Sequence, residues 1–282
     1  MQKTIELYQK VDNKIQCNLC PHSCIMGEGE VGKCCVRKNK NGEIEFLNYG
    51  IVNAMAIDPI SKKPFKHFLK GSKTLSIALS SHCNLSCKFC ENHKLSQNNK
   101  IKGKNILPVS IVSDAIEKHC KSVSMSYNEP TISYEYLMDL ADECHKNNLK
   151  FLLKTNAFVN KEPWKEICGV VDAVNIDFKG SEDKFKSIAG VNSYVLKDRI
   201  KEAYEAGVHI EISIPLYYQD DEIEDEIEDI GRFLSSIDKD IPCHLLRMSS
   251  SYRYTDFIFN FQNMEKAKNI LLKYMDNIYM VV

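Results

Sequence analysis

Hydrophobic and polar residues follow two different patterns along this chain of 282 residues. Up to about residue 70 the pattern is irregular: a cysteine-rich stretch precedes two short β-like runs, at 43–50 and 51–58. From residue 74, short β-rich runs alternate with stretches in which apolar residues recur at helical spacing. The β-rich runs are TLSIALS (74–80), KSVSMS (121–126), LKFLLKTN (149–156), VVDAVNIDF (170–178), VHIEISIPL (208–216), PCHLLRM (242–248) and NIYMVV (277–282). We therefore predict an N-terminal cysteine-rich region, 1–72, followed by a regular α/β unit, 73–282.

Helical stretches separate most of these runs, and Gly207 ends one of them in the manner of a helix stop. They span residues 112–120, 133–147, 197–207, 224–237 and 263–275. The alternation predicts parallel β/α units, arranged as a full or partial barrel or as a doubly wound sheet. In such folds the chemistry lies at the carboxyl ends of the strands, where the polar segments YNEP, TN and DFK occur.

Charge and composition exclude several classes of protein. Lys and Arg (37) nearly balance Asp and Glu (38), so no basic field for duplex nucleic acid is expected. No apolar run approaches the length of a membrane span, and the N-terminus lacks the apolar core of a signal peptide. We therefore expect a cytoplasmic protein that binds neither nucleic acid nor membrane. In that reducing compartment, the clustering of most of the twelve cysteines indicates metal binding.

The densest group of cysteines lies in HCNLSCKFCEN, where Cys83, Cys87 and Cys90 have the spacing C-x3-C-x2-C. A structural zinc site would need a fourth ligand, which His82 or His93 could supply. An iron–sulfur cluster with three protein thiolates would instead leave one iron open to an outside ligand. Spacing alone fits both, because thiolates suit zinc and iron–sulfur centres alike.

The segment CNLSCKFC resembles the hallmark of the radical S-adenosylmethionine (SAM) superfamily, C-x3-C-x-aromatic-C in the loop after the first strand. The resemblance implies a partial (β/α)6-type barrel of parallel strands. It also implies that Cys83, Cys87 and Cys90 bind three irons of a 4Fe–4S cluster, that SAM binds the fourth, and that Phe89 packs near the adenine. His82 departs from the pattern, since glycine is common at its position.

By the same resemblance, Asn128 and Glu129 in SYNEP take the place of a GGE-like motif that faces the methionyl group of SAM. A carboxylate suits the ammonium of that group. The alternative is a turn that opens a helix, with Pro130 fixing its first turn. Asn156, in KTN, is a weaker candidate for the same cofactor site.

Asp177 and Lys179 alternate onto one face of a strand end. The pair is similar to the D-x-K element of pyruvate formate-lyase activating enzymes, where it helps to hold SAM; a surface salt bridge is the alternative. His244 resembles the histidine on a late strand of those enzymes, although a lone strand histidine is often a satisfied core residue.

A second group of cysteines, Cys17, Cys20, Cys24 and Cys34, predicts a further metal site, for zinc or for a second iron–sulfur cluster. His22 or Cys35 could replace one of these ligands. CNLCPHSC, GEVGKCCVR and DPISKKPFKHF resemble segments of the AmmeMemoRadiSam-system branch of activating-enzyme-like radical SAM proteins.

These resemblances imply an oxidoreductase of anaerobic chemistry, in which a 5′-deoxyadenosyl radical formed from SAM abstracts hydrogen from a substrate. The implied substrate is a glycyl radical enzyme, another protein or a peptide, and the implied electron donor is a flavodoxin or ferredoxin. A small-molecule substrate is one alternative. A binding protein stabilised by zinc at both cysteine groups, with no catalysis, is another.

Overall fold

The computed structural model describes residues 7–191, 194–217, 222–255 and 258–281. The N-terminal part contains two small antiparallel units. One is a three-stranded sheet and the other a hairpin: β1 (Tyr8–Val11), β2 (Lys14–Cys17) and β3 (Ile25–Met26), then β4 (Arg37–Lys40) and β5 (Glu43–Phe46). The cysteines of this region lie in and around the first unit.

The remaining strands form one mostly parallel sheet of nine strands within the described residues. They are β6 (Ile51–Pro59), β7 (Lys73–Leu79), β8 (Lys104–Asn105), β9 (Ser122–Met125), β10 (Lys150–Thr155), β11 (Ala173–Asp177), β12 (His209–Leu216), β13 (Cys243–Arg247) and β14 (Ile278–Val281). Their order is β14-β13-β12-β11-β10-β9-β7-β6-β8. Among the strands described, only β6 runs against the common direction, since it pairs antiparallel with β7 on one side and with β8 on the other.

Helices connect the parallel strands and bury their apolar sides against one face of the sheet. They are α1 (His93–Ser96), α2 (Pro108–Glu117), α3 (Tyr134–Lys146), α4 (Lys161–Cys168), α5 (Glu182–Ala189), α6 (Leu196–Glu205), α7 (Ile223–Ser235) and α8 (Phe261–Leu271). Gly207, with φ +77°, follows α6 in the left-handed conformation that commonly ends a helix. In the described parts of the chain, no helix has the length and apolar content needed to cross a bilayer.

The predicted α/β architecture with parallel strands is confirmed, because the seven β-rich runs correspond to β7 and β9 to β14. No pairing joins the outer strands β14 and β8 among the described residues, so closure toward a barrel stays a prediction. The boundary between residues 72 and 73 also stays a prediction. Across it, β6 and β7 pair in one continuous sheet, so the N-terminal region contributes a strand to the larger unit.

The DPISKKPFKHF segment, residues 58–68, leaves β6 and packs against the face of the sheet opposite to the helices. Ile60 and Phe65 form a buried cluster with Leu152 of β10 and Ala173 of β11. We call this side of the sheet the cavity face. A segment whose only helical turn is the short 3-10 helix Ile60–Lys62 therefore fills part of the space that the α-helices leave uncovered.

Glu211 of β12 fixes the same segment through its backbone. Three consecutive backbone N–H groups, those of Lys66, His67 and Phe68, donate to its carboxylate at 2.8–3.2 Å. Glu211 is fully buried, and hydrogen bonds from several donors offset the cost of removing its charge from water. The segment is thus held by a specific polar anchor as well as by apolar packing.

Candidate active site

A cavity of about 410 Å³ lies where the parallel strands end. Loops after β7, β9, β10 and β11 form much of its wall. It is lined by nine residues that the sequence identifies as candidates: Cys83, Cys87, Phe89, Cys90, Asn128, Glu129, Asn156, Asp177 and Lys179. The structure therefore brings these separate segments together, whereas the role of each side chain stays a prediction.

The loop that carries the three cysteines is tied to neighbouring segments by its backbone. The Cys83 N–H donates to the carbonyl of Ser96 at 2.7 Å, and the Ser86 N–H donates to the carbonyl of Ala189 at 3.1 Å. The Asn84 side chain donates to the carbonyl of Phe158 at 2.8 Å. Anchors on three sides hold the loop in one conformation, which is what a multidentate metal site requires.

The three thiols have different surroundings. The Asn156 side-chain amide lies 3.6 Å from the Cys83 sulfur, and the Cys90 sulfur lies 3.1 Å from the Ser96 hydroxyl. Burial raises the pKa of the Cys87 thiol to about 12, although the nearby Lys179 ammonium acts in the opposite direction. Metal binding would therefore displace a proton from this thiol.

No group of three or more His, Cys, Asp or Glu side chains in the described ranges is already gathered around one ion position. The cysteine side chains would therefore rotate on metal binding, within a loop whose backbone is already anchored. Phe89 is buried and stacks on Tyr217, with the ring centroids 4.7 Å apart. Its ring thus combines core packing with a place in the cavity wall.

Asp177 lies between two lysines at the end of β11. Lys179 donates to Oδ2 at 2.6 Å, and Lys154, from β10, donates to Oδ1 and also to the Asn175 side chain at 2.6 Å. Burial alone raises the pKa of Asp177, but the two ammonium groups lower it to about 2. The group is a charged triad with one more cation than anion, and it differs from the surface salt bridge that was the alternative.

Glu129 fastens the end of β10 to the segment after β9. Its carboxylate accepts hydrogen bonds from the Thr131 N–H (3.1 Å), the Thr155 hydroxyl (2.7 Å) and the Asn156 N–H (2.7 Å). It caps the 3-10 turn Pro130–Ser133, so the turn expected as the alternative is present, and burial raises the pKa of the carboxyl. In the described geometry, Glu129 stabilises the cavity wall through these hydrogen bonds.

The two residues before Glu129 are held by other segments. The Asn128 amide donates to the carbonyl of Leu79 (2.5 Å) and to the Ser81 hydroxyl (2.7 Å). Tyr127 has φ +75°, a costly conformation for a bulky residue. Its hydroxyl donates to Asp58 at 2.8 Å. A side chain from the DPISKKPFKHF segment therefore supports the strained turn.

His244 lies elsewhere on the sheet. It is fully buried in β13, its Nε2 is 2.6 Å from Glu211, and its ring stacks on Tyr279. Among the described residues it is absent from the lining of the cavity. The expected contact with the cofactor stays a prediction, and the observed contacts favour a core role.

The four N-terminal cysteines line a second, enclosed pocket next to the loop of the first site. Asn84, from the three-cysteine loop, and Arg37 line the same pocket as Cys17, Cys20, Cys24 and Cys34. The Cys34 carbonyl accepts a hydrogen bond from the His82 N–H at 3.1 Å. The two cysteine groups are thus neighbours in space.

Several cavity residues were missed by the sequence analysis. Lys154 precedes Asn156 by two positions in a strand, so the alternation that places Asp177 with Lys179 would also have indicated it. Lys62, Lys63, Pro64 and Tyr127 also line the cavity. They come from irregular or strained backbone, for which the sequence pattern offers no comparable signal.

Comparison with known proteins connects this geometry to a family. The family model described as the radical SAM superfamily matches residues 77–234, more than half of the chain. An uncharacterized protein of Methanocaldococcus jannaschii is 34% identical over 273 residues, which cover 94% of this chain and 80% of that protein. The cysteine-type anaerobic sulfatase-maturating enzyme of Clostridium perfringens is 32% identical over 98 residues, 30% of this chain and 26% of that enzyme.

A solved structure has the same fold. The chain matches SuiB of Streptococcus suis, crystallised with SAM, with a TM-score of 0.56 and 18% identity. The match covers 71% of this chain and 48% of SuiB, so the chain spans about half the length of that protein.

Proposed function

Because this chain belongs to the radical SAM superfamily, we propose that Cys83, Cys87 and Cys90 hold a 4Fe–4S cluster and that the protein cleaves SAM reductively. When bound, the cluster supplies one electron to SAM, which gives methionine and a 5′-deoxyadenosyl radical that removes hydrogen from a substrate. The observation that supports this most is the convergence of three thiols and a partly buried charged triad on one cavity of about 410 Å³. That volume lies in the range of about 300–1,000 Å³ typical of small-molecule sites.

The residues around the thiols fit an open coordination position. His82 and His93, the candidates for a fourth protein ligand of zinc, are both absent from the described cavity lining. Lys179 and Asp177 present opposite charges beside the cysteines, which suits the carboxylate and ammonium groups of SAM. Lys154 holds Asp177 from the other side and so positions it.

The substrate is proposed to be a protein or peptide, with a glycyl radical enzyme as one case. The name of the sulfatase-maturating relative supports modification of a protein. A small molecule is the alternative, and Pro215, Leu246, Met248 and Val281 offer apolar wall for either. The same proposal includes membership of the AmmeMemoRadiSam branch and an activating-enzyme-like oxidoreductase activity under anaerobic conditions. It also includes a cytoplasmic location and a flavodoxin or ferredoxin as electron donor.

The four N-terminal cysteines are proposed to hold a second metal centre, zinc or an iron–sulfur cluster. Their convergence on one enclosed pocket supports this. Occupancy of this centre can be measured independently of SAM cleavage.

The test is SAM cleavage by protein that has been purified and reconstituted without oxygen. With dithionite, wild-type protein should convert SAM to 5′-deoxyadenosine, and Cys87→Ala should lose both the cluster absorbance and the product. Cys120→Ala, which removes a buried thiol distant in sequence from the loop, is the control and should retain both. Zinc in place of iron, with no 5′-deoxyadenosine from wild-type protein, would instead identify the non-catalytic zinc-binding alternative.

A further inference from the structure

We propose that the N-terminal cysteines form a mononuclear zinc site with four thiolate ligands, and that Arg37 is its charge partner. Cys17 ends β2, Cys24 precedes β3, and the Cys17 N–H donates to the Cys24 carbonyl at 2.9 Å. Cys20 lies in the turn between them, and Cys34 lies in the loop between β3 and β4. This site deepens the proposed function but does not depend on SAM cleavage.

The size of the pocket favours one ion over a cluster. The space enclosed by the four cysteines is about 10 Å³, close to what a single water molecule occupies by this measure. The cavity beside Cys83, Cys87 and Cys90 is about 410 Å³. The second space has room for a cube of four irons and four sulfides, whereas the first has room for one ion, and in both sites the thiols would rotate onto the metal.

The contacts of the neighbouring residues determine the ligand set. His22 lines the pocket, but its Nε2 is 2.6 Å from the Asn84 carbonyl and its Nδ1 is 3.3 Å from the Lys33 ammonium. Both ring nitrogens are therefore engaged. Cys35 is absent from the described lining, and its sulfur lies 3.7 Å from the Lys33 carbonyl. The set that remains is four thiols, a common combination for structural zinc.

Arg37 supplies a second observation that points to an anionic centre. Its side chain lines the pocket and is 1% exposed, and its Nη2 donates to both carboxylate oxygens of Glu135, at 2.6 and 2.8 Å. The Nε and Nη1 groups are buried and have no hydrogen-bond partner in the described structure. Buried N–H donors are rarely left without an acceptor. Zinc with four thiolates has two net negative charges, and its sulfurs would accept these N–H groups.

The first experiment measures metal content where the other cysteine group has been removed. The Cys83→Ala/Cys87→Ala/Cys90→Ala variant is produced in growth medium that contains zinc and iron and is purified without oxygen. It should contain about one zinc per chain and no iron. Iron with sulfide, or the absence of metal, would overturn the proposal. If this variant does not fold, reconstituted wild-type protein decides: about four irons and one zinc support it, and about eight irons contradict it.

The ligand set is tested by cobalt substitution. Cys20→Ser should lose the strong sulfur-to-cobalt charge-transfer absorbance expected of four thiolates, whereas Cys35→Ser should leave it unchanged. Equal loss in both variants would contradict the assigned ligands.

The role of Arg37 needs a control for the loss of a buried arginine. Arg199, in α6, is also buried, and its guanidinium pairs with a glutamate, Glu202, as that of Arg37 pairs with Glu135. Arg37→Gln should weaken zinc binding about 10–100-fold in competition with a chelator, as is typical for outer-shell partners of a metal. It should also shift the cobalt charge-transfer band, and Arg37→Lys should restore part of the affinity. Arg199→Gln should change neither quantity, and equal effects of the two Gln variants would overturn the assignment.

Discussion

At the scale of single residues, the cavity is organised by charges that are paired before any ligand binds. Asp177 accepts from both Lys154 and Lys179, which leaves the triad with one net positive charge in a partly buried wall of the cavity. Such a charge is stabilised by an anionic ligand group, and the carboxylate of SAM is one. Lys154 thus positions Asp177, while the ammonium of Lys179 also interacts electrostatically with Cys87 and Cys83.

Replacement of Lys154 tests this arrangement. Lys154→Met should raise the dissociation constant of SAM about tenfold, because losing one charged hydrogen bond to Asp177 costs about 1.5 kcal/mol. The measurement is calorimetric titration of SAM into cluster-loaded protein without oxygen. Lys150→Met removes a half-exposed ion pair from the other end of the same strand and should leave SAM binding unchanged. Equal affinity in wild type and Lys154→Met would mean that Lys179 alone positions Asp177.

At the scale of elements, the ends of neighbouring strands are joined by side chains, and Glu129 is the main junction. It connects the turn after β9 with the last residues of β10. Asn156, which Glu129 holds by the backbone, contacts the Cys83 sulfur and the Asn84 side chain. The position of the cysteine loop therefore depends on the Glu129 carboxylate, which accepts hydrogen bonds from other protein groups.

Glu129→Gln should destabilise the fold by about 1–3 kcal/mol, because an amide nitrogen replaces one of the two acceptor oxygens. It should also reduce the iron retained by the cluster site, since Asn156 loses its anchor. Denaturant unfolding and iron analysis measure the two effects. Glu91→Gln, which changes an exposed carboxylate in the same cavity wall, is the matched control. A variant with normal stability and iron content but weaker SAM binding would support the direct contact with SAM that the sequence predicts.

The sequence predicted the elements whose periodicity extends over many residues. All seven parallel strands were located, because buried strands read as compact apolar runs. The helices α4 and α5 were missed, since each has only eight residues and too few turns to establish a period. The packing of residues 58–68 on the cavity face had no sequence signal, because beyond β6 the segment has a single short 3-10 turn, Ile60–Lys62, and because its partner Glu211 is distant in the chain.

At the scale of the whole molecule, the polar anchor on Glu211 joins the N-terminal region to the late strands. Burial alone raises the pKa of Glu211, but hydrogen bonds from His209, His244 and backbone N–H groups lower it overall. Burial lowers the pKa of His244, against the effect of Glu211. The folded protein therefore keeps this histidine neutral at a pH at which the unfolded chain would protonate it.

The stability of the fold should consequently fall as the pH drops below about 6.5, the ordinary pKa of histidine, because the unfolded state then binds a proton that the folded state resists. His244→Gln should reduce the slope of unfolding free energy between about pH 7.5 and 5.5, as measured by urea denaturation. An unchanged slope in His244→Gln would show that the network does not depend on the protonation of this residue.

The anchoring of residues 58–68 also has a consequence for synthesis on the ribosome. Lys66 precedes Glu211 by 145 residues, and His67 precedes Tyr279, whose hydroxyl it contacts, by 212. At about 5–20 residues per second, the segment leaves the ribosome roughly 7 to 40 seconds before its binding partners exist. During that time Phe65 and the backbone N–H groups of residues 66–68 lack their native contacts. Contacts between residues so distant in sequence form slowly. The segment therefore remains without its native contacts until β14 has been made.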